Sequence, residues 1–327
     1  MSICYTIPLN GTSKPSWIEY ITHVSPSLLN WAKLSSSPNK SIPLLLANSN
    51  LPWNWKKISA NRSITFDMIV SHLDMGYMKW DWDAISANPN ITMDIVQSNI
   101  TYPWNWGILS SNPTITIYYL VSNLEYPWNW RRLSANPNIS MNDVILHSSL
   151  PWDWNGLSDN QTITLDIVLI NLSKNWNWYK LGSNSKIHIS DIINTPHLPW
   201  IWEGVCNNPS INIDIISTNL GHNWDWSALS FHKNITIHEI IKRNDLPWNW
   251  ATIGLNPNLT VDIIKQYSFI EWNWSCISSN SEIDINSIIE HKDLPWRWHR
   301  ISEHPNLTLD HILANPDVDW DLWLAVR

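Results

Sequence analysis

Apolar and polar positions in this chain repeat at an interval far longer than a helical turn. The repeating unit is clearest over residues 126–150, Tyr-Pro-Trp-Asn-Trp-Arg-Arg-Leu-Ser-Ala-Asn-Pro-Asn-Ile-Ser-Met-Asn-Asp-Val-Ile-Leu-His-Ser-Ser-Leu. The first Trp of its pair recurs at Trp53, Trp80, Trp104, Trp128, Trp152, Trp176, Trp200, Trp224, Trp248, Trp272, Trp296 and Trp320, and every step from Trp80 onward is 24 residues. Self-similarity at such a period marks one small unit stacked on its own copies, none of which can bury its apolar face alone.

The second half of the unit reads as a helix start. In residues 91–96, Ile-Thr-Met-Asp-Ile-Val, Thr92 stands where a hydroxyl can accept a free amide hydrogen of the first turn. The same place holds Thr65, Thr116, Ser140, Thr164, Asn212, Thr236, Thr260, Asp284 and Thr308, all good capping residues, with His188 as the exception. The residue before the cap is Ile or Leu, and the residue four after it is Ile, Val or Leu, as in Ile91 with Val96, Ile163 with Val168 and Ile211 with Ile216. That pairing is a hydrophobic staple. Asp67, Asp94, Asp166, Asp214, Asp262 and Asp310 follow two residues after the cap, where a negative charge favours the helix dipole by about 0.3–1 kcal/mol.

The first half carries a Pro near the expected first helical position, where the missing amide hydrogen is harmless. Tyr102, Trp106 and Leu109 then share one helical face. Trp104 would lie about 200° round from Trp106, so that one indole closes the unit's own core and the other packs on a neighbour. Pro113 ends this helix. The residue before the Pro position is Asn61, Asn88, Asn112, Asn136, Asn160, Asn184, Asn208, Asn256 or Asn280, and is His232 or His304 in the other units. A following Pro drives it toward extended geometry. Its amide is expected to bind backbone groups, either as a simple turn former or as a bridge to the next repeat.

A strand competes for the second half, because residues 115–121 are rich in β-branched and aromatic types. A 24-residue period also suits leucine-rich repeats. Their alternate-Leu strand is missing, however, and a cap with a staple has no purpose in a strand. The expectation is therefore all-α, an elongated α-solenoid of about twelve 24-residue helix-turn-helix repeats with atypical end caps. At about 8–10 Å per packed helix it is about 100 Å long. Residues 1–28 are expected to form an N-terminal cap, 29–315 the repeat array with a degenerate first unit, and 316–327 a C-terminal cap, since solenoid ends must be covered. One step, from Trp53 to Trp80, is 27 residues, with its extra length near Met75, Gly76 and Tyr77.

Composition sharpens the picture. Of 26 Trp, all but Trp17 and Trp323 fall in the repeat register, so they are expected in the core and not as stacking surfaces. Eight Gly leave little room for phosphate-cradling loops. A net charge of −8 with only 20 Lys and Arg, and no basic stripe, argues against nucleic-acid binding. Cys4, Cys206 and Cys276 form neither a disulfide framework nor a metal-ligand spacing, which fits a reducing compartment. No apolar run approaches the ~18 residues that span a bilayer, and the N-terminus does not read as a signal peptide. A cytoplasmic protein without membrane contact is expected. The glycosylation sequons at Asn90 and Asn234 are by-products of the repeat, because their Thr is the helix cap.

No Gly-rich phosphate loop, His-Glu-x-x-His, Cys-x-x-Cys or Gly-x-Ser-x-Gly is present. The chain is therefore expected to be non-enzymatic, without catalytic residues, cofactor or metal. Recognition should use the places where copies differ. They differ most just after the Trp pair, at Lys56, Lys57, Asp83, Arg131, Arg132, Tyr179, Lys180, Glu203, His299 and Arg300, and at Ala84, Gly107, Ile108, Asn155, Gly156, Gly204, Ser227 and Ala228. Free variation in size and charge implies exposure, and the shared register lines these positions along one face.

The unit Leu-Pro-Trp-Asn-Trp…Ser-x-Asn-Pro-x-Ile-Thr-x-Asp-Ile-Ile resembles the tryptophan-rich tandem repeats of proteins from giant DNA viruses of amoebae, the mimivirus relatives. The resemblance covers about residues 29–323, nearly the whole chain. It implies a repeat scaffold engaging a host or viral protein, in host cytoplasm or virion, and carries over no catalytic residue. The competing expectation is a virion-surface or structural protein that binds carbohydrate through its Trp and Asn rows.

Overall fold

The structure, a computed structural model, describes residues 31–36, 45, 51–74, 76 and 78–321. Among these residues every regular element is a helix and none is a strand. The expected N-terminal cap lies outside the described residues, as do most of the degenerate first unit, Met75, Tyr77 and residues 322–327 of the expected C-terminal cap. Each full repeat but one is a pair of helices of four to six residues, such as Trp130–Ala135 followed by Met141–Leu146. Helices this short do not persist alone, so their stability must come from stacking.

Second helices begin where the capping residues place them. Thr65, Thr92, Thr116, Ser140, Asn212, Thr236, Thr260, Asp284 and Thr308 each accept the amide hydrogen three residues on. The exception is not His188, whose Nδ1 accepts from the Ser190 amide at 3.2 Å. It is Thr164, whose side chain makes no capping bond. The staple residues Ile91, Val96, Ile163, Val168, Ile211 and Ile216 are all buried.

First helices differ from expectation in a definite way. They start at the second Trp, and the residue between the two Trp is the cap: Asn54, Asp81, Asn105, Asn129, Asp153, Asn177, Asp225 and Asn273 accept the first free amides. The Pro is therefore outside the helix. It sits at the centre of a tight turn in which the first Trp amide donates two residues back, as Trp128 does to Tyr126 O at 2.8 Å. Its fixed φ suits that three-residue turn as well as it suits a helix start. The helical-wheel placement of Trp104 opposite Trp106 fails for the same reason, because Trp104 is not in the helix.

The Trp pair nevertheless divides its work between copies. The first Trp is buried in nine of its twelve occurrences and half-buried at Trp80, Trp200 and Trp272. Its indole N–H donates to the end of the preceding second helix, as from Trp152 to His147 O at 3.0 Å. The second Trp meets the first Trp of the next copy edge to face. Trp106–Trp128, Trp154–Trp176 and Trp178–Trp200 have centroids 5.0, 4.9 and 5.0 Å apart with planes at 83°, 84° and 86°, the favoured quadrupole arrangement. At Trp80, after the 27-residue step, the indole N–H has no partner among the described residues. Trp250 departs differently. Asn249 Oδ1 accepts from the amide two residues on and not three, the first helix is a 3-10 turn over Ile253–Leu255, and the ring is 41% exposed.

Two buried polar rows complete each joint. Asn160 donates from Nδ2 to Ser134 O, Asn136 O and Ile139 O of the preceding copy, each at 2.9 Å, while its Oδ1 accepts its own Thr162 amide at 2.9 Å. The Asn row is thus both turn former and bridge, reaching the copy before it and not the one after. Asn136 and Asn256 are extended, as a following Pro requires, and Asn184 is extended too although Ser185 follows it. The Ser row was not expected. Ser158 Oγ donates to Trp154 O at 2.8 Å and accepts the Asn177 amide of the next copy at 2.9 Å. Cys206 takes this place in one copy and accepts from Asp225 N at 3.1 Å. Its thiol is buried, and burial pushes its pKa up to about 11.

His232 stands in the Asn row with both ring nitrogens committed. Nε2–H donates to Asn208 O at 3.2 Å and Nδ1 accepts the Asn234 amide at 3.3 Å. A second proton would face that amide. Burial holds the pKa of His232 below its ordinary 6.5, with the Asn208 bond opposing and Lys233 assisting. The neutral ring is the folded form, so its contribution is complete above pH ~6.5 and is lost as the pH falls through the lower folded value. Urea midpoints of the wild type are expected to fall between pH 7.5 and pH 5, and His232→Asn to reduce that fall. Asn160→Ala strands three buried carbonyls and an amide, and is expected to lower unfolding free energy by about 1–3 kcal/mol in urea titrations. Asn160→His should recover most of that loss at pH 7.5.

Candidate functional site

The ten residues singled out by variation between copies all fall on first helices, at the two positions after the second Trp. Lys56 and Lys57 lie on Trp55–Ser59, Asp83 on Trp82–Ser86, Arg131 and Arg132 on Trp130–Ala135, Tyr179 and Lys180 on Trp178–Ser183, Glu203 on Trp202–Val205, and His299 and Arg300 on Trp298–Ile301. Nine are exposed, and Lys180 is half-buried. Capping by the Asn or Asp between the Trp pair orients seven of them, because it fixes where the helix begins and so which way its second and third residues point; Ile201 and Arg297, ahead of Glu203 and of His299 and Arg300, make no capping bond.

The two positions nevertheless behave differently. The first is open to solvent at Lys56, Asp83, Arg131, Tyr179, Glu203 and His299. The second, at Arg132, Lys180, Gly156 and Gly204, faces the carbonyl 25 residues back, on the preceding copy. Arg132 Nη1 donates to Gly107 O at 3.0 Å and Lys180 Nζ to Asn155 O at 3.4 Å. Lys180 also pairs with Asp159. Where the second residue is Gly, the copies close up: a Cβ on Gly156 would lie 2.3 Å from Arg131 O, and one on Gly204 would lie 2.1 Å from Tyr179 O. Ala84, Gly156 and Gly204 are buried. The expectation that all variable positions are exposed is therefore corrected. Variation at the second position records alternative ways of closing one joint, by contact or by a long polar side chain.

Some first-position residues are tied laterally as well. Asp83 Oδ1 accepts from Asn105 Nδ2 at 2.7 Å, Asn155 Oδ1 from Asn177 Nδ2 at 2.9 Å, and Ser227 Oγ from Asn249 Nδ2 at 2.7 Å. What projects freely is a sparse mosaic of Lys56, Arg131, Tyr179, Glu203 and His299, one type per copy. Lys56 and His299 are ten repeat steps apart, so the face is a line and not a cluster. Its C-terminal end holds an open recess of about 440 Å³ lined by Trp296, Arg297, Trp298, His299, Asp319, Trp320 and Asp321. Arg297 stands there in the capping place and makes no capping bond.

Among the described residues, no group of three His, Cys, Asp or Glu is placed to hold a metal ion, and no helix is long and apolar enough to cross a membrane. The amides of Asn90 and Asn234, the two sequon residues, are bonded to carbonyls of the preceding copy. No family model, curated protein or solved structure matches the chain.

Closure at the second position is directly measurable. Gly204→Ala forces a methyl group into a backbone carbonyl, and overpacking of this kind costs about 1–3 kcal/mol. A lowered unfolding midpoint is expected by circular dichroism. Gly221→Ala, where nothing lies within 4 Å of the added Cβ, should leave the midpoint nearly unchanged.

Proposed function

We propose that this protein is a non-enzymatic repeat scaffold that binds another protein along the exposed edge of its first helices. The observation that carries this reading is the contrast within each repeat. The Trp, Asn and Ser rows recur and are turned inward, while the residue after the second Trp varies and is exposed where it is Lys56, Asp83, Arg131, Tyr179, Glu203 or His299. Stacking constrains the first set to one chemistry. It leaves the second free to match the surface of a partner, as exposed faces of stacked repeats do. Arg and Tyr, both present here, are the side chains most favoured at the centres of protein interfaces.

In the setting that the resemblance to giant-virus repeat proteins implies, the partner is a host or viral protein and the scaffold works in host cytoplasm or virion. A glycan would need the Trp and Asn rows in solvent. Nine of the twelve first Trp are buried, and so is every Asn of the bridging row among the described residues, so no observation favours that alternative.

The test is quantitative cross-linking and affinity recovery with the intact chain, against a variant carrying Arg131→Glu, Tyr179→Ala and Glu203→Lys. These side chains project outward, so thermal unfolding should be unchanged. Recovery of the partner should fall at least about tenfold, the equivalent of about 1.4 kcal/mol of binding free energy. Equal recovery by the two proteins would refute the assignment of this face.

A further inference from the structure

A second surface lies on the other helix of the repeat. Past the staple, the outer edge of the second helix and the turn after it are expected to be polar, because they face solvent. Over four consecutive repeats they are not. Ile100, Leu124, Ile145, Leu146, Ile170 and Leu172 are 40%, 45%, 59%, 68%, 84% and 47% exposed. Ile100, Leu124 and Leu172 share one register position, and Leu146 and Ile170 share another. Stacking sets such residues side by side. The result is an apolar strip, interrupted at Ser148, and strips of this kind mark interaction sites.

In later repeats charged residues enter the same edge, although Leu220 and Phe269 remain 50% and 77% exposed there. Arg243 reaches Ser217 of the preceding copy and pairs with Asp245 at 2.8 Å. Lys292 pairs with Asp317 of the following copy at 2.7 Å, and Lys242 and Lys265 occupy positions held by apolar residues earlier. These bonds also establish that residues on this edge reach from copy to copy.

Charge specifies the occupant. The four second-helix segments at 93–101, 117–125, 141–149 and 165–173 contain no Lys or Arg. They do contain Asp94, Glu125 and Asp166, all exposed, and Asp143, which is used in a capping box. Lys174, the cation nearest in sequence to Leu172, lies over the Trp154 ring at 5.1 Å. An apolar strip with an anionic rim repels an anionic lipid surface. It also disfavours a second copy of a chain that is itself net negative at −8. It attracts an apolar face flanked by cations. Three repeat steps of about 8–10 Å span about 25–30 Å, the length of a helix of about 18 residues at 1.5 Å per residue.

We propose that this strip docks an amphipathic helix with a basic polar face, supplied by a partner protein, in the manner of a helix laid along an apolar track. The surface is separate from the first-helix edge and stands or falls independently of it.

The test uses the full chain and three dye-labelled 18-residue peptides followed by fluorescence anisotropy: a Leu/Lys amphipathic helix, the same composition scrambled, and a Leu/Glu amphipathic helix. The Leu/Lys helix should bind at least about tenfold more tightly than either control. The double variant Leu146→Ser, Ile170→Ser should weaken it by at least about tenfold with its thermal midpoint unchanged, since both side chains already face solvent. Arg131→Glu, on the other face, should leave this affinity unchanged. Equal binding of the scrambled peptide would reduce the effect to bulk charge and overturn the proposal, as would equal binding by the double variant. Two other occupants would overturn it too: a concentration-dependent dimer in sedimentation that the double variant abolishes, or capture of phosphatidylcholine or phosphatidylserine vesicles by wild type but not variant.

Discussion

The whole array depends on how one copy closes against the next. A helix of five residues leaves nearly all of its terminal amides and carbonyls unpaired within itself, so a stack of such helices succeeds only if each joint supplies partners. The joint does so with two side chains of opposite habit. The Asn amide donates backward to as many as three carbonyls of the preceding copy, and the Ser hydroxyl accepts forward from the cap residue of the following one. The Asn and Ser side chains are buried at the joint, and exclusion of water strengthens each bond there and raises the penalty for leaving one unmade. Apolar burial and polar satisfaction are here two aspects of one contact.

That joint also explains why substitutions in the rows are so restricted. His can replace Asn because its neutral ring offers a donor and an acceptor with similar reach, as His232 and His304 show. Cys can replace Ser because Sγ still accepts a weak bond from the next copy. Gly182 and Gly254 take the Ser place by another route. An added Cβ there would lie 2.9 Å from Val205 Cγ2 or 3.0 Å from Cys276 Cβ, so the two helices close over the missing side chain. The same choice between a bridging side chain and a close approach recurs at the second variable position, with Arg132 and Lys180 on one side and Gly156 and Gly204 on the other.

Two surfaces remain after the joints have taken what they need. One is the line of single outward residues on first helices, with mixed charge and Tyr179. The other is the apolar strip with an acidic rim on second helices. They differ in chemistry because they differ in neighbours. First-helix residues flank a cap and are drawn into lateral polar bonds, whereas the second-helix edge has no such partner until Arg243 and Lys292 supply one. A rigid array can therefore present two independent faces without any change in its interior.

Much of this was legible in the chain alone. Period, unit count, helical class and the starts of the second helices all follow from local chemistry, because a cap and a staple act within a few residues and leave the same mark in every copy. The exposed first-position residues were legible too, through differences between copies. What misled was also local: Pro127 suits a helix start, yet the structure uses it in a tight turn, since Asn129 beside it can cap and an indole before the cap can reach the previous helix. The acceptor role of Ser134 and Ser158, the buried fate of Gly156 and Gly204, and the exposure of Leu146 and Ile170 could not be read in advance. Each depends on which atoms of the preceding copy lie opposite, a matter of distance across the stack. A sequence determines its own turns and caps by short-range bonding; only packing decides what faces what.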